Sequence, residues 1–253
     1  MTYVLTVHCT SKRGIVAAVS GFLAEQGCNI TDASQFDDAE TGSFFARISF
    51  VPETGTGLDA LREGFGPIGE AFGMQWGIHD TADRMKVVVN HDLPFHHIKV
   101  TKNNKPEAEA QLLQVVEDSG AELVVLARYM QILSDSLCQK MSGRIINIHH
   151  SFLPSFKGAN PYRQAFERGV KLIGATSHYV TAELDEGPII EQDTIRVTHA
   201  QSPDDYVSLG RDVESQVLAR AVHAHIHRRA FLNGDKTVVF PASPGTYASE
   251  RMG

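Results

Sequence analysis

The sequence predicts two domains, an α+β domain at the N-terminus and an α/β domain with a mostly parallel sheet covered by helices at the C-terminus. Two patterns predict this. Elements in the first part of the chain follow the order βαββαβ, and apolar strands alternate with helices in the second part. A chain of 253 residues is long enough to bury two cores. We therefore expect domains at residues 1–80 and 87–253, joined by a short polar linker at residues 81–86.

The N-terminal domain is predicted from alternating and helical spacing of apolar residues. Its strands are Tyr3–His8, Asn29–Phe36, Gly42–Phe50 and Met74–Ile78. The first helix begins at Arg13-Gly14 and ends near Gly27. A second helix extends from Leu58 to Phe72, although Gly66-Pro67 should bend or interrupt it. The order βαββαβ is that of the split βαβ, ferredoxin-like fold.

The C-terminal domain is predicted from strands that alternate with helices. Its strands are Val87–Val89, Glu122–Leu126, Ile145–Ile148, Ile173–His178 and Ile189–Val197. Its helices are Pro106–Ser119, Pro161–Arg168 and a long one from about Ser202 to His227. Val238–Phe240 is interpreted as an added edge strand. In open sheets of this kind, ligands bind beyond the carboxyl ends of the strands.

Composition excludes several classes of partner. The formal charge is -7, and the absence of any block of Lys and Arg argues against binding to nucleic acid. No apolar stretch reaches the roughly 18 residues that a membrane span needs. The three cysteines show no CxxC spacing, so neither a disulfide framework nor a zinc knuckle is expected. We therefore expect a cytoplasmic protein that binds neither nucleic acid nor membrane.

A polar cluster follows the strand that begins at Ile145. Asn147, His149, His150 and Ser151 lie together at its end. An amide beside an imidazole can polarise a carbonyl group and move a proton, and such clusters often face a cleft. Alternatively, these polar residues only satisfy a turn, and the cluster alone does not decide between the two interpretations.

Two further segments should lie near the same edge of the sheet. Ala127–Leu133 follows a buried strand and precedes a helix, and Thr181–Ile190 is an acidic loop that leads into a strand. With Asp185 from the acidic loop, Asn147 and His149 would form an acid/base and oxyanion set that needs no Ser or Cys nucleophile.

The N-terminal domain resembles the ACT family of small regulatory domains through Lys12-Arg13-Gly14-Ile15-Val16 and Gly27-Cys28-Asn29-Ile30. The resemblance implies a homo-oligomer, at least a dimer, and an amino-acid effector, with glycine and methionine as the candidates. No residue from Arg13 to Val16 selects between the two. Alternatively, the domain only dimerises and binds nothing. The implied effector-binding residues are Arg13, Gly14, Ile15, Asn29 and Ile30.

The C-terminal segments resemble the folate-dependent formyltransferase family. Together with the ACT-like domain, they resemble the branch that hydrolyses 10-formyltetrahydrofolate to tetrahydrofolate and formate. The resemblance implies that Asn147, His149 and Asp185 are catalytic. Asn147 would stabilise the oxyanion, His149 would donate to the same oxygen or move the proton, and Asp185 would orient the imidazole or deprotonate the water. Taken alone, Asp185 could also be a solvated loop acid.

The same resemblance implies where the folate substrate binds. Ile132 and Leu133 could cover the flat face of the pterin, although ordinary core packing explains them equally well. Transferases of the family usually carry proline at the position of His150, whereas the hydrolases carry a second histidine. The implied substrate-binding residues are Met130, Gln131, Ile132, Leu133, His150, Thr181, Glu183 and Gly187.

We expect neither a metal nor a covalent cofactor. His223 and His227 share a helix face, but no carboxylate or cysteine completes a metal site there, so a solvated face is expected. Two other functions stay open. One is a formyltransferase that acts on a small amine, and the other is a catalytically inactive protein that senses amino acids.

One part of the family pattern is missing. The catalytic domain of this family begins with a complete β-α-β unit, but here Met85-Lys86-Val87 runs almost directly into Val88–Asp92. About 30 residues or more are therefore missing by the usual size of that unit. A real deletion would expose strand edges and remove apolar area from the core, which would make the protein unstable or inactive.

We therefore expect that the printed sequence omits an internal segment of the natural polypeptide. Mass spectrometry of the intact protein purified from its source should then give a mass above 27.7 kDa. A mass equal to 27.7 kDa would contradict the omission.

Overall fold

The computed structural model describes residues 1–83, 85, 97–101, 103–127, 129, 131–152 and 161–242. The chain forms two compact units. The first includes Met1–Arg84 and Ala224–Asn233, and the second includes Met85–His223. The predicted strand Val87–Val89 and Lys86 of the predicted linker lie outside the described residues.

The first unit has the predicted βαββαβ order. Its four strands form one antiparallel sheet in the order β2-β3-β1-β4. The ferredoxin-like arrangement is therefore confirmed. The elements are β1 (Tyr3–Thr10), α1 (Ile15–Glu25), β2 (Cys28–Asp38), β3 (Ser43–Pro52), α2 (Leu58–Phe72) and β4 (Gln75–Asp80).

Both helices of the first unit pack on one face of this sheet. Along β3, Phe44, Ala46 and Phe50 point toward the helices, because alternate side chains of a strand share a face. On the helix side, Phe65 packs edge-to-face against Phe22 of α1 at 5.4 Å between ring centroids. Buried aromatic and aliphatic groups of this kind each contribute about 1.5–3 kcal/mol, so this apolar layer stabilises the unit.

Helix α2 continues past Pro67, and the expectation that Gly66-Pro67 interrupts it was wrong. Proline clashes with the Cβ of the residue before it in a helix. Gly66 has no Cβ, so that clash is absent. Apolar packing of Phe65 before the proline and of Ile68 after it holds the helix against the sheet.

The second unit has a four-stranded sheet in the order β5-β6-β7-β8. The long helix predicted from about Ser202 to His227 is confirmed. The elements are α3 (Lys105–Ser119), β5 (Val124–Ala127), α4 (Asp135–Lys140), β6 (Ile145–His149), α5 (Pro161–Glu167), β7 (Leu172–Tyr179), β8 (Ile189–Arg196) and α6 (Pro203–Ile226).

The α/β class is confirmed, but the sheet is mixed over the strands that the structure describes. β5 and β6 are parallel, whereas β6–β7 and β7–β8 are antiparallel. The link between β7 and β8 covers residues 180–188 and contains no helix. A parallel crossover needs a dozen or more residues, so this link can only join antiparallel strands. The alternation of strands and helices in the sequence does not reveal whether neighbouring strands are parallel or antiparallel.

Helix α6 covers the side of the sheet that faces away from the polar cluster. Val213 and Val217 on α6 pack against Ile148 of β6 and Ala175 of β7. Side chains on either side of Ile148 along the strand therefore point to the opposite face. This packing directs Asn147 and His149 to one face of the sheet. Among the described residues, no helix is long and apolar enough to cross a membrane.

The C-terminal part of the chain returns to the first unit. The Nε–H of Arg47 donates to the carbonyl oxygen of His227 at 3.1 Å, and Phe231 packs edge-to-face against Phe45. Phe45 lies on the face of the sheet opposite the two helices. β9 (Ala230–Asn233) and β10 (Lys236–Val239) pair with each other in a separate two-stranded sheet, so the predicted tail strand extends neither large sheet. Part of the sheet face opposite the two helices is therefore covered by the chain itself.

Two partly buried histidines make the first unit sensitive to acid. Burial, and then the charges of Arg228 and Arg62, lower the pKa of His79 to about 4. Burial, and then the charge of Arg228, lower the pKa of His225 to about 4. In the unfolded chain both imidazoles protonate near pH 6.5.

We predict that the folded state loses stability as the pH falls from 6.5 to about 4. In this window the unfolded chain binds protons that the folded protein does not, so protonation favours unfolding, and the stability is fully present above pH 6.5. Thermal unfolding across this range should show a shallower pH dependence for the double variant H79Q/H225Q. Substitution of the exposed His199 by Gln is the control. An unchanged slope in the double variant would contradict the prediction.

Candidate active site

Asn147, His149 and Asp185, which lie far apart in the sequence, meet at the end of β6. His149 is 5% exposed, and its Nδ1 lies 3.2 Å from Oδ1 of Asp185. The Asp185 side chain is only 11% exposed. Asp185 is therefore a partly buried carboxylate in contact with an imidazole, which argues against the alternative of a solvated loop acid.

The loop between β7 and β8 carries Asp185 to this position. Asp185 has a φ of 57°, in the left-handed region that asparagine and aspartate tolerate better than most residues. A Cβ atom at Gly187 would lie 1.7 Å from the carbonyl oxygen of Tyr179, so only glycine allows this close approach. Gly187 was predicted to bind substrate, and in the structure its backbone closes the loop that holds Asp185.

His178 is a member of the site that the sequence analysis missed. It is 2% exposed, and its Nε2 lies 3.4 Å from Nδ2 of Asn147 and 3.8 Å from Oδ1 of Asp185. Its Nδ1 lies 2.9 Å from the carbonyl oxygen of Tyr179. A carbonyl oxygen only accepts hydrogen bonds, so Nδ1 carries the hydrogen, and in the neutral ring Nε2 accepts from Asn147. His178 thus fixes one N–H group of Asn147 and contacts Asp185.

The signal that could have revealed His178 is its place opposite Asn147. The two residues are direct partners in the antiparallel pairing of β6 and β7. A polar residue at the end of a buried strand was visible in the sequence, but its link to Asn147 depends on the direction of β7. The sequence predicted a mostly parallel sheet, whereas β7 runs antiparallel to β6.

The surroundings of the two ionisable groups favour an anionic Asp185 beside a neutral His149. The His178 imidazole, whose Nε2 lies 3.8 Å from Oδ1, and the nearby His149 lower the pKa of Asp185. Burial lowers the pKa of His149 although Asp185 opposes the shift. Because ionised Asp185 can only accept, the Nδ1 of His149 carries the hydrogen and its Nε2 presents a lone pair. Among the described residues, His149 Nε2 and Asn147 Oδ1 are buried polar atoms without a hydrogen-bond partner.

A cleft beside Asn147 and Asp185 brings together most of the predicted substrate-binding residues. Ile132 is 49% exposed, whereas the Leu133 side chain is 3% exposed and belongs to the core around Leu137. Met130 lies outside the described residues. The predicted residues that line the cleft are Gln131, Ile132, Leu133, Thr181 and Glu183.

His150 lies beside a different cavity. Its ring stacks on that of His149 at 5.0 Å between centroids, and the ring of Tyr162 is 6.4 Å away on a tilted plane. The cavity next to it has a volume of about 360 Å³ and is lined by Tyr162 and Ile173 among others. His150 therefore contacts the site through His149 and not through the cleft that the other predicted residues share.

The predicted effector-binding residues lie at the start of α1 and of β2. Gly14 has a φ of 96°, which a residue with a side chain would adopt only under strain. Arg13 is exposed, whereas Ile15 is 2% exposed and packs in the core of the unit. Asn29 is exposed and Ile30 is partly buried. The Ile15 side chain is therefore not available to a ligand.

In the part of the chain that the structure describes, no group of three or more His, Cys, Asp or Glu side chains could hold a metal ion. His223 and His227 accordingly do not form part of such a group. The expectation of catalysis without a metal stays a prediction.

The fold and the site define a formyl transferase-type domain that follows an ACT domain. A family model described as formyl transferase matches residues 78–222, and the ACT domain model matches residues 3–63. The formyltetrahydrofolate deformylase of Corynebacterium sp. strain P-1 is 44% identical, with 94% of this chain and 97% of that protein covered.

Two solved structures of deformylases are also similar to this chain. The formyltetrahydrofolate deformylase of Burkholderia mallei is 48% identical, with a TM-score of 0.89 and coverage of 95% of this chain and 99% of that one. The deformylase of Pseudomonas syringae pv. tomato is 43% identical, with a TM-score of 0.88 and coverage of 95% and 94%. The chain belongs to the formyltetrahydrofolate deformylase family.

The alignment with the Corynebacterium protein bears on the missing β-α-β unit. It extends over 278 positions, whereas 94% of this 253-residue chain is only about 238 residues. About 40 positions of the alignment therefore lie opposite gaps in this chain. The omitted segment stays a prediction, and the size of these gaps is enough to accommodate it.

Proposed function

We propose that this chain hydrolyses 10-formyltetrahydrofolate to tetrahydrofolate and formate, with Asn147, His149 and Asp185 as catalytic residues. The observation that carries the proposal is the contact of His149 with an anionic carboxylate while its Nε2 stays unpartnered among the described residues. An imidazole oriented in this way can accept a proton from water. Membership of the deformylase family indicates that the substrate is 10-formyltetrahydrofolate.

The first step is attack of water on the formyl carbon. Nε2 of His149 accepts one proton from the water molecule while the water oxygen forms a bond to the formyl carbon. The carbonyl oxygen becomes an oxyanion, which accepts a hydrogen bond from the Asn147 N–H that His178 leaves free. One such donor is worth about 3–4 kcal/mol of transition-state stabilisation. Asp185 stays ionised and stabilises the imidazolium that forms.

The second step breaks the bond between the formyl carbon and N10. The imidazolium of His149 returns its proton, now to N10, and neutral tetrahydrofolate leaves. The remaining carboxylic acid loses a proton to solvent and leaves as formate. The site ends with the protonation states with which it began, so no further reactant is needed.

The cleft supports a binding site for the pterin end of the substrate. Gln131, Thr181 and Glu183 line it and offer polar groups, and the half-exposed Ile132 can cover a flat ring. Binding here would bring the formyl group toward Asn147 and Asp185, which line the same cleft.

The substitution D185N should lower kcat at least about 10²-fold with little change in KM, because the imidazole loses the anion that orients it and stabilises its charge. Release of formate from 10-formyltetrahydrofolate is the measurement. E186Q is the matched control, since Glu186 is an exposed acid next in the chain. Equal activity of D185N and wild type would contradict the catalytic role of Asp185.

The same assay distinguishes the other functions. A formylated amine without formate would indicate a formyltransferase that acts on a small amine. Amino-acid binding without any turnover would indicate an inactive sensor protein.

The ACT domain makes an amino-acid effector part of the proposal, with glycine and methionine as the candidates. The exposed Arg13 and the left-handed Gly14 at the start of α1 support a site for a carboxylate. Asn29 and Ile30 would form its other side. Function in the cytoplasm agrees with three free, buried cysteines, and self-association remains part of the proposal.

Calorimetric titration should give heat with one of the two amino acids and a change in the rate of formate release. G14A should lose both effects, since a Cβ at a φ of 96° disturbs the backbone there. G42A carries similar strain in an exposed turn and is the control. Absence of heat and of any rate change with both amino acids would contradict the effector proposal.

A further inference from the structure

A buried carboxylate on α3 lies outside the catalytic trio and has a defined set of partners. Glu109 is 9% exposed. Its Oε1 accepts from the backbone N–H of Ser134 at 2.9 Å, and its Oε2 accepts from the hydroxyl of Ser134. Lys105, one turn earlier on the same helix, places its Nζ 3.9 Å from Oε1. Burial of a carboxylate is costly unless its hydrogen bonds compensate, so these contacts hold Glu109 and Ser134 together.

Ser134 is the N-cap of α4. Its hydroxyl oxygen accepts from the N–H of Leu137 at 3.3 Å, as expected for a serine in this position. In a usual capping box, a Glu or Gln three residues after the cap binds the N–H of the cap residue. Here that position is Leu137, which is buried in the core, and Glu109 from another helix binds the N–H instead. The beginning of α4 is thus fixed to α3.

The segment that ends at Ser134 lines the cleft beside Asn147 and Asp185. It connects β5 with α4, and its described residues Tyr129, Gln131, Ile132 and Leu133 all line the cleft. Leu133 is anchored in the core, but Gln131 and Ile132 are exposed and depend on the backbone for their position. Glu109 holds this backbone at its C-terminal end.

We propose that Glu109 is a positioning residue that sets the affinity for the folate substrate by holding residues 131–133 along the cleft. This inference rests on the proposed function. Glu109 does not touch the substrate or the reacting atoms, and it acts through Ser134. Loss of Glu109 would therefore weaken substrate binding more than the chemical step.

The test compares E109A with E107A, which removes an exposed acid from the first turn of the same helix. E109A should raise KM for 10-formyltetrahydrofolate at least tenfold with kcat within threefold of wild type, and E107A should change neither. Hydrogen exchange of amides 129–141 should become faster in E109A alone. E109Q should restore most of the affinity, since a glutamine oxygen can still accept from the Ser134 N–H. If E109A does not fold, S134A should give a smaller KM increase of the same kind.

Each other result overturns the inference. A lower melting temperature of E109A with unchanged KM and unchanged hydrogen exchange would show that Glu109 only stabilises the fold. A fall in kcat with unchanged KM would also contradict a role in substrate binding. If the wild type releases formate but hydrogen exchange in E109A is unchanged, the inference about Glu109 fails while the proposed function stands. If the wild type releases no formate, the proposed function fails together with the folate role of Glu109, even when E109A exchanges faster.

Discussion

The contact between Asp185 and His149 requires two separate parts of the second unit to meet. His149 ends a strand that helix α6 holds from the opposite side, and Asp185 sits in a loop that can close only because Gly187 has no side chain. The left-handed backbone of Asp185 is a further constraint at the same place. The pairing of β6 with β7 adds His178 to the contact. Sheet, loop and helix are therefore all needed to keep one carboxylate beside one imidazole.

The proposed active site leaves buried polar atoms without partners, at some expense in stability. Buried polar atoms without partners cost about 1–3 kcal/mol each, and Nε2 of His149 and Oδ1 of Asn147 are two such atoms among the described residues. The neighbouring atoms are well bonded, since His178 binds both Asn147 and the backbone of Tyr179. Both atoms are acceptors, so they mark the place where the O–H groups of a water molecule would supply the missing hydrogen bonds.

The sequence was sufficient for the parts of the fold that depend on local pattern. The βαββαβ order and the long helix α6 followed from spacing of apolar residues, and Asn147, His149 and Asp185 were selected by residue type and family resemblance. Features that depend on strand direction or on distant contacts were missed. His178 joins the site only through antiparallel pairing, and Glu109 only through a tertiary contact with Ser134. The continuation of α2 through Pro67 depends on the neighbour Gly66 and on packing.

The position of residues 224–233 has a consequence for how the protein is made. These residues cover part of the second face of a sheet whose strands all lie in the first 80 residues. A ribosome synthesises that sheet early but produces its cover, with Phe231 over Phe45, only near the end of translation. During elongation the nascent N-terminal unit therefore exposes an aromatic surface. Chaperones, or contacts with neighbouring nascent chains, would act on this surface until synthesis is complete.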